Sequence, residues 1–580
     1  MNTETRSSQV IFFLGAGASV AAGVPTTYDF VDQFIEYMGD KDTDEQSKIK
    51  DIIEILKSWT PDGVDIEILL ETLTKLKNKD QEPILQFCMD GNLKLDGDFE
   101  KLIKDLKDFI KSKTMVHAET IDYLRHLRGF VIDAKNRATP TPLDIISLNY
   151  DTCIEQFCNI HEMSYQDGFD IYWNLKTFER EDADIRLYKL HGSVLWYQSD
   201  RGNFIKLPIL SEDSKIQLFS REYAENLMLY PMQKWDYAEP LLELMVRIKG
   251  LIQSKIRELG EESESLKFLI VVGYSFRDEH IKKIVWDAAR RNTKLYVIII
   301  DPNAYQIYHD RVKYYDSEGE IASHLSGRVI YLPYKFEEIV SILKNDYVSN
   351  LNEGIRLVEK CQKNEDIGEF VRWTECIKPL IDAEYHEMVE NIIKTKNIMK
   401  ELDWGLNSKI SIKIGMSLLL NKQYDQASKY LDQFYSTIED VITDLIKGNI
   451  SESGYASLEI NSHGLHEFER VIADLYDFCK IRHKMCSGSD YDVDQLTKFI
   501  SMFNKILEYI KILPKRRQID PQTYRPLDPY FNERYAEFID KDTSTDRKIE
   551  LKSELESMIK DEETTIIRDI VELSKISSQV

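Results

Sequence analysis

Val10-Ile11-Phe12-Phe13-Leu14-Gly15-Ala16-Gly17-Ala18-Ser19, which continues Val20-Ala21-Ala22-Gly23-Val24-Pro25, is the stretch whose reading decides the fold. Val10 to Leu14 is a short, unbroken apolar run of the kind that forms a buried parallel strand. The chain then breaks into Gly15-Ala16-Gly17-Ala18-Ser19 and resumes with small residues at a helix start. Glycines directly after a strand permit a tight turn and let backbone N–H groups approach a phosphate on the helix N-terminus. A turn that merely needs glycine is spelled the same way, so the weight comes from segments further along.

Four such segments follow. Asp144 to Leu148 (DIISL) runs into Asn149-Tyr150-Asp151, and the short apolar Tyr188 to Leu190 runs into His191-Gly192-Ser193. Lys267 to Val272 (KFLIVV) ends at Gly273-Tyr274-Ser275, and Lys294 to Ile300 (KLYVIII) ends at Asp301-Pro302-Asn303. Val329 to Leu332 reads as the last strand and Phe336 to Leu343 as the helix that closes the domain. Apolar strands alternating with helices indicate an α/β, Rossmann-like parallel sheet covered on both faces. In open parallel sheets ligands bind beyond the carboxyl ends of the strands, at the switch point. Five strands that finish in Gly, Asn, His, Gly and Asp therefore describe one ligand site.

Between the first and second strands, about residues 28–135, the periodicity is helical. Phe99, Leu102, Ile103, Leu106, Phe109 and Ile110 line one helix face, and Val64 to Leu76 forms another amphipathic segment. Its aromatic and methionine residues read as core, and the whole as an all-helical insertion resembling a small lid or cap. From about Lys344 strand-like runs nearly vanish, so the division is 1–343 as the α/β domain and 344–580 as an all-α C-terminal domain. Within the latter, Ile414 to Phe434 fits either a tetratricopeptide-like helix pair or an ordinary helical hairpin. Pro514, Pro521, Pro526 and Pro529 mark a loop, and the last forty or so residues read as charged and helical.

A formal net charge of −25 over 580 residues argues against a nucleic-acid backbone binder, and the island Lys515-Arg516-Arg517 is too small to reverse it. The seven cysteines are scattered with no CxxC pair, which indicates neither a disulfide framework nor a thiolate zinc site. With no apolar run of about 18 residues and a polar N-terminus, the expectation is a cytoplasmic protein without a membrane span.

Read as chemistry, the strand ends supply a dinucleotide site. Gly15, Ala16, Gly17 and Ser19 can hold a pyrophosphate, with Gly273 and Ser275 giving a second close backbone approach and a hydroxyl. Asp301, followed by Asn303, is placed to accept hydrogen bonds from a ribose diol. His191, flanked by glycine at a strand end, has the side chain suited to proton transfer near pH 7.

Together, GAGAS, SLNYD, KLHGS, VVGYS and IIIDPN, in that order, resemble the sirtuin (Sir2) family over roughly Val10 to Tyr334. The resemblance implies a Rossmann-like domain that binds NAD and cleaves its bond to nicotinamide. It implies that Asn149 orders the nicotinamide ribose and a water, that Asp151 holds the carboxamide, and that His191 acts as the base on a ribose hydroxyl or on the incoming nucleophile. Asn149 and Asp151 would thus contact the cofactor as well as take part in catalysis. Cleavage would pass through an oxocarbenium-like centre stabilised by nearby polar groups.

Two departures matter. Sirtuin deacetylases hold a zinc with two CxxC pairs between the HG and GTS segments, whereas Ser193 to Val272 has no cysteine here, so no zinc and no metal ligand is expected. Their GIPDFR loop is replaced by Gly23-Val24-Pro25-Thr26-Thr27-Tyr28. Ile66-Glu67-Ile68-Leu69-Leu70 and Gly273 to Ile281 (GYSFRDEHI) resemble instead the bacterial Sir2-like branch of anti-phage defence. That branch implies an NAD glycohydrolase depleting cellular NAD in abortive infection, assembled as a tetramer or larger homo-oligomer. A phage-protein trigger or companion defence protein would act through the C-terminal helical region as sensor. The alternatives are an NAD-dependent protein deacylase or ADP-ribosyltransferase, and a non-catalytic NAD or ADP-ribose sensor subunit.

Overall fold

A computed structural model of the chain describes residues 8–557 apart from 59, 61–62, 79–98, 138, 171, 200–203, 208–222, 229–240, 258–263, 313–326, 364–368, 397–403, 421, 447–471, 481, 484–489, 513–533, 535, 539–543, 545–546, 549 and 556. The Lys515–Arg517 island, the proline loop and most of the C-terminal forty residues lie outside the described residues. The chain divides into two compact units, Met1–Ser341 and Ile342–Val580.

The first unit begins with β1 (Val10–Leu14), β2 (Leu143–Ser147), β3 (Tyr165–Gln166) and β4 (Ile185–Lys189). Next come β5 (Gly192–Ser199), β6 (Phe204–Lys206) and β7 (Tyr223–Met228), a separate antiparallel sheet ordered β6-β5-β7. The short antiparallel pair β8 (Ile256–Arg257) and β9 (Glu264–Ser265) follows. Then β10 (Lys267–Val272), β11 (Leu295–Ile300) and β12 (Val329–Leu332) return to the main sheet. That sheet has seven strands, all parallel, in the order β12-β11-β10-β1-β2-β4-β3. It is the α/β architecture read from the strand pattern. The chain moves from β1 outward to β2 and β4 on one side and returns to β10 on the other. The switch point therefore lies between β1 and β10.

Among the described residues, the longer helices of the first unit are α1 (Asp29–Lys41), α2 (Thr43–Lys57), α3 (Ile66–Asn78), α4 (Phe99–Thr114), α5 (Leu127–Lys135), α6 (Cys153–Ile160), α7 (Leu241–Gln253) and α8 (Glu279–Arg291). Alternating strand residues face opposite ways, and both sheet faces are buried. Ile11, Phe13, Leu269, Val271, Val297 and Ile299 pack with Leu244 and Ile248 of α7 and Val285 and Trp286 of α8. Phe12 faces the other way, with its ring 5.0 Å from Phe130 of α5 and 6.5 Å from Phe336. Burial on both faces explains why β10 and β11 read as unbroken apolar runs.

Helices α1 to α5 form the insertion after β1, where Phe30, Phe34 and Tyr37 close on Phe109. Leu102, Leu106, Phe109 and Ile110 are buried as the pattern requires, and Ile103 is half-buried. Two differences from the sequence reading stand out. The strand before His191 spans Ile185–Lys189 instead of Tyr188–Leu190, because its first half alternates charge with apolar residues and buries Arg186. The helix read over Phe336–Leu343 stops at Ile339, and Ile342 at φ −109° interrupts it.

In the second unit the described elements are helical, among them Asn350–Lys363, Glu369–Asp382, His386–Lys396, Trp404–Leu420, Tyr424–Ile446 and Asp490–Ile512. Trp404–Leu420 and Tyr424–Ile446 form a close hairpin in which a Cβ on Gly415 would lie 2.6 Å from Leu431 Cδ2. Leu431, Phe434 and Ile438 share a core with Phe499, Phe503 and Ile506 of Asp490–Ile512. Among the described residues, no helix is long and apolar enough to cross a membrane.

Candidate active site

The register across the main sheet places Ile300, Val272, Leu14, Ser147 and Lys189 in one row at the carboxyl ends of β11, β10, β1, β2 and β4. Each of the five sequence motifs leaves the sheet from this row. Asp301, Gly273 and Gly15 follow it directly, and Asn149 and His191 come two residues beyond it.

At the switch point the glycine turn packs backbone against backbone. The N–H of Gly15 donates to Val272 O (2.8 Å) and that of Gly17 to Gly273 O (3.1 Å). A Cβ on Gly15 would sit 2.5 Å from Gly273 O, and one on Gly17 2.7 Å from Gly273 Cα. Gly273 itself has φ +59°, the left-handed region that favours glycine. The glycines of both motifs are thus required by the closeness of two turns, and the Gly15 and Gly17 donors are spent within the fold. Ala16 opens the 3₁₀ helix Ala16–Ala22, so its N–H is one of the helix-start donors without an intrahelical partner.

Ser19 joins this turn to the loop after β2. Its hydroxyl donates to Asp151 Oδ2 (2.6 Å) and accepts from Asn149 Nδ2 (3.0 Å), while Asn149 Nδ2 also donates to Gly15 O (2.9 Å). The other Asp151 oxygen accepts from the Cys153 N–H (3.0 Å) at the start of α6. Beneath the loop, Lys189 is buried and donates to the carbonyls of Asn149 (3.3 Å) and Asp151, 3.3 Å from the buried Glu155 carboxylate. Burial pushes the Glu155 carboxyl up, with Lys189 pulling the other way. Burial, and then the Asp151 charge, push the Cys153 thiol well up, which makes it an inert packing group.

His191 is 8% exposed, and neither ring nitrogen has a hydrogen-bond partner among the described residues. Its Nδ1 lies 3.4 Å from Glu67 Oε1, an atom that also accepts from the Tyr150 hydroxyl (3.2 Å). Glu67 stands in the first turn of α3, where a carboxylate suits the helix dipole. The sequence reading marked Ile66-Glu67 only as a motif and missed that the insertion sends a charge to the histidine.

Arg277, in the GYSFRDEHI segment, reaches back to the residues standing in for GIPDFR. Its guanidinium covers the Tyr28 ring (4.7 Å to centroid), bonds the Tyr28 hydroxyl and Thr27 Oγ1 (3.3 Å), and pairs with the buried Asp65 (3.1 Å). Its Nε donates to Ser275 Oγ (3.3 Å), so Ser275 is held by this clamp. Between them Phe276 is fully buried at φ +55°, a costly conformation for an aromatic residue, held by stacking on Trp286 (5.3 Å). Asp301 and Asn303 stand one strand further out and bond to each other, Asn303 N to Asp301 Oδ1 (2.8 Å). Burial pushes the Asp301 carboxyl up.

The structure therefore joins Gly15, Gly17, Ser19, Asn149, Asp151 and Gly273 in one bonded network. His191 connects to it through Glu67 and Tyr150, while Asp301 and Asn303 follow Ile300, whose carbonyl accepts from the Gly273 N–H (2.9 Å). Among the described residues there is no cluster of three or more His, Cys, Asp or Glu that could hold a metal ion.

A family model, the SIR2-like domain, matches residues 144–318. The matched stretch starts in β2 and holds Asn149, Asp151, His191, Gly273, Ser275, Asp301 and Asn303, and it excludes the glycine turn and the helical insertion. The match supports a SIR2-like fold for this stretch and, at the level of the family, suggests NAD-related activity. No curated protein matches the chain.

Proposed function

We propose that the chain is an NAD glycohydrolase that splits NAD to nicotinamide and ADP-ribose. The observation that carries this reading is the buried His191, whose Nε2 has no hydrogen-bond partner among the described residues, beside the Asn149 loop in the stretch that matches the SIR2-like model. Buried polar atoms are ordinarily paired, so an unpaired imidazole nitrogen at a strand end suits a group that meets substrate. In the reaction the ribose–nicotinamide bond breaks, nicotinamide leaves with the bonding electrons, and a water oxygen bonds to the ribose carbon. His191 takes the water's proton, and Asn149 orders the ribose and the water. Asp151, whose oxygens are engaged by Ser19 and Cys153, holds Asn149 in place through Ser19.

The GYSFRDEHI and IEILL segments support placing this activity in anti-phage abortive infection. A trigger or companion protein acting on residues 344–580, and assembly as a tetramer or larger, would hold the enzyme off at rest. The test is chromatography of nicotinamide and ADP-ribose released from NAD by full-length protein, alone and with phage lysates. The reading requires turnover that His191→Ala cuts to a small residual rate. Turnover only with an acylated or acceptor protein would assign a deacylase or ADP-ribosyltransferase. Binding of intact NAD under every condition would assign a sensor.

A further inference from the structure

We infer that Glu67, supplied by the helical insertion and lying outside the matched SIR2-like stretch, is the positioning residue for His191. Glu67 Oε1 is 3.4 Å from His191 Nδ1, and the same oxygen is fixed by the Tyr150 hydroxyl at 3.2 Å. The two side chains are enclosed, at 10% and 13% exposure, so water competes little for either. A carboxylate can only accept, so the contact selects the imidazole tautomer with hydrogen on Nδ1 and the lone pair on Nε2. Nε2 has no hydrogen-bond partner among the described residues and is the nitrogen left to take a proton. A 3.4 Å separation is long for a hydrogen bond, as such pairs commonly are before substrate tightens them. Tyr150 belongs to the Asn149-Tyr150-Asp151 loop, and its ring centroid is 6.4 Å from that of His191. The insertion thereby completes the site: α3 brings a carboxylate into contact with the histidine, and Ile66 N–H anchors the start of α3 to Thr27 O (2.9 Å).

The inference rests on the glycohydrolase reading, and two measurements keep their failures apart. The first is NAD turnover by full-length wild type, Glu67→Gln, His191→Ala and the double variant, after thermal unfolding has shown each to be folded. Glu67→Gln should lower kcat by about 10²-fold with little change in KM, the scale of a general base that has lost its orientation. The double variant should be no slower than His191→Ala alone, because the two residues act as a unit. A Glu67→Gln enzyme within about twofold of wild type, or losses that multiply in the double variant, would overturn the inference. The second is the ¹⁵N spectrum of histidine-labelled protein, with the His191 signals assigned by their absence in His191→Ala. Wild type should show hydrogen on Nδ1 and Glu67→Gln should shift toward the other tautomer. This readout needs no turnover, so an inactive wild type removes the glycohydrolase reading and leaves the pairing to be decided by the spectrum. Identical tautomers in wild type and Glu67→Gln would refute the pairing itself.

Discussion

Ser19 Oγ sits 2.6 Å from Asp151 Oδ2 and 3.0 Å from Asn149 Nδ2, so one hydroxyl fastens the glycine turn to the loop that carries the expected catalytic asparagine. Ser19→Ala removes both bonds at once and leaves the buried Asp151 carboxylate short of a donor. We expect a loss of about 1–3 kcal/mol in urea unfolding and a fall in kcat of about tenfold as Asn149 loses its anchor. Ser19→Thr, which keeps the hydroxyl, should retain more of both. Equal behaviour of the two variants would mean that the hydroxyl positions nothing.

Two glycines with positive φ should respond very differently to alanine. At Gly273 the added Cβ would strike Gly17 Cα and come within 2.5 Å of Ala18 N, whereas at Gly23 nothing lies within 4 Å. Gly23→Ala should therefore cost only the left-handed backbone penalty, about 1–2 kcal/mol. Gly273→Ala carries that penalty and also separates the two turns, and should cost about 3 kcal/mol or more. Unfolding midpoints of the two variants decide this, and a Gly273→Ala midpoint as high as that of Gly23→Ala would rule out the close-packed turn.

These contrasts also show what the sequence makes visible. β10 and β11 are legible because burial on both faces demands unbroken apolar runs, and a parallel sheet then puts their polar ends on one edge. Lys189 and Glu155 were not, since a lysine at a strand end looks solvated until the Asn149 and Asp151 carbonyls are folded over it. Glu67 was hidden for a related reason. Helical periodicity tells which face of Ile66–Asn78 is apolar, but not that its first turn abuts a histidine in a loop over a hundred residues later. The antiparallel sheet of β5, β6 and β7 escaped because its strands pair with an irregular register between Gly192 and Tyr197 and give no clean alternation.

Arg277 and Asp65 provide a test of the clamp over Thr27 and Tyr28. Asp65 is 5% exposed, and it caps α3 by accepting from Ile68 N–H (2.9 Å). Burial pushes its carboxyl up, the neighbouring Glu67 adds to that, and Arg277 pulls it back. Arg277→Met should cost about 2–4 kcal/mol by leaving a buried carboxylate without its cation. Arg277→Met/Asp65→Asn should recover at least about 1 kcal/mol of that loss. A carboxyl whose folded pKa is raised favours the folded state at low pH, so the deficit of Arg277→Met should shrink as pH falls from 7 toward about 4. Urea titrations at pH 7 and pH 4 measure both effects, and a deficit that is additive and independent of pH would exclude the ion pair as its source.

His386 makes the second unit sensitive to acid. The residue is half-buried, but both ring nitrogens are shut off from solvent and have no hydrogen-bond partner among the described residues. Burial, and after it the Lys413 ammonium, push its pKa down to about 4, with Glu390 opposing them. The unfolded chain takes up this proton near pH 6.5 while the folded unit refuses it until about pH 4. The contribution to stability is therefore complete above about pH 6.5 and is lost as pH falls toward about 4, by at most about 3 kcal/mol. His386→Leu removes the titrating group and should flatten this dependence. The measurement is hydrogen exchange of full-length protein, followed in peptides from the Trp404–Leu420 and Tyr424–Ile446 hairpin at pH 7 and pH 4.5 with the intrinsic rate corrected for pH. Wild type should lose protection there on acidification and His386→Leu should lose markedly less. Equal losses in the two proteins would show that the acid sensitivity of this unit comes from its carboxylates instead.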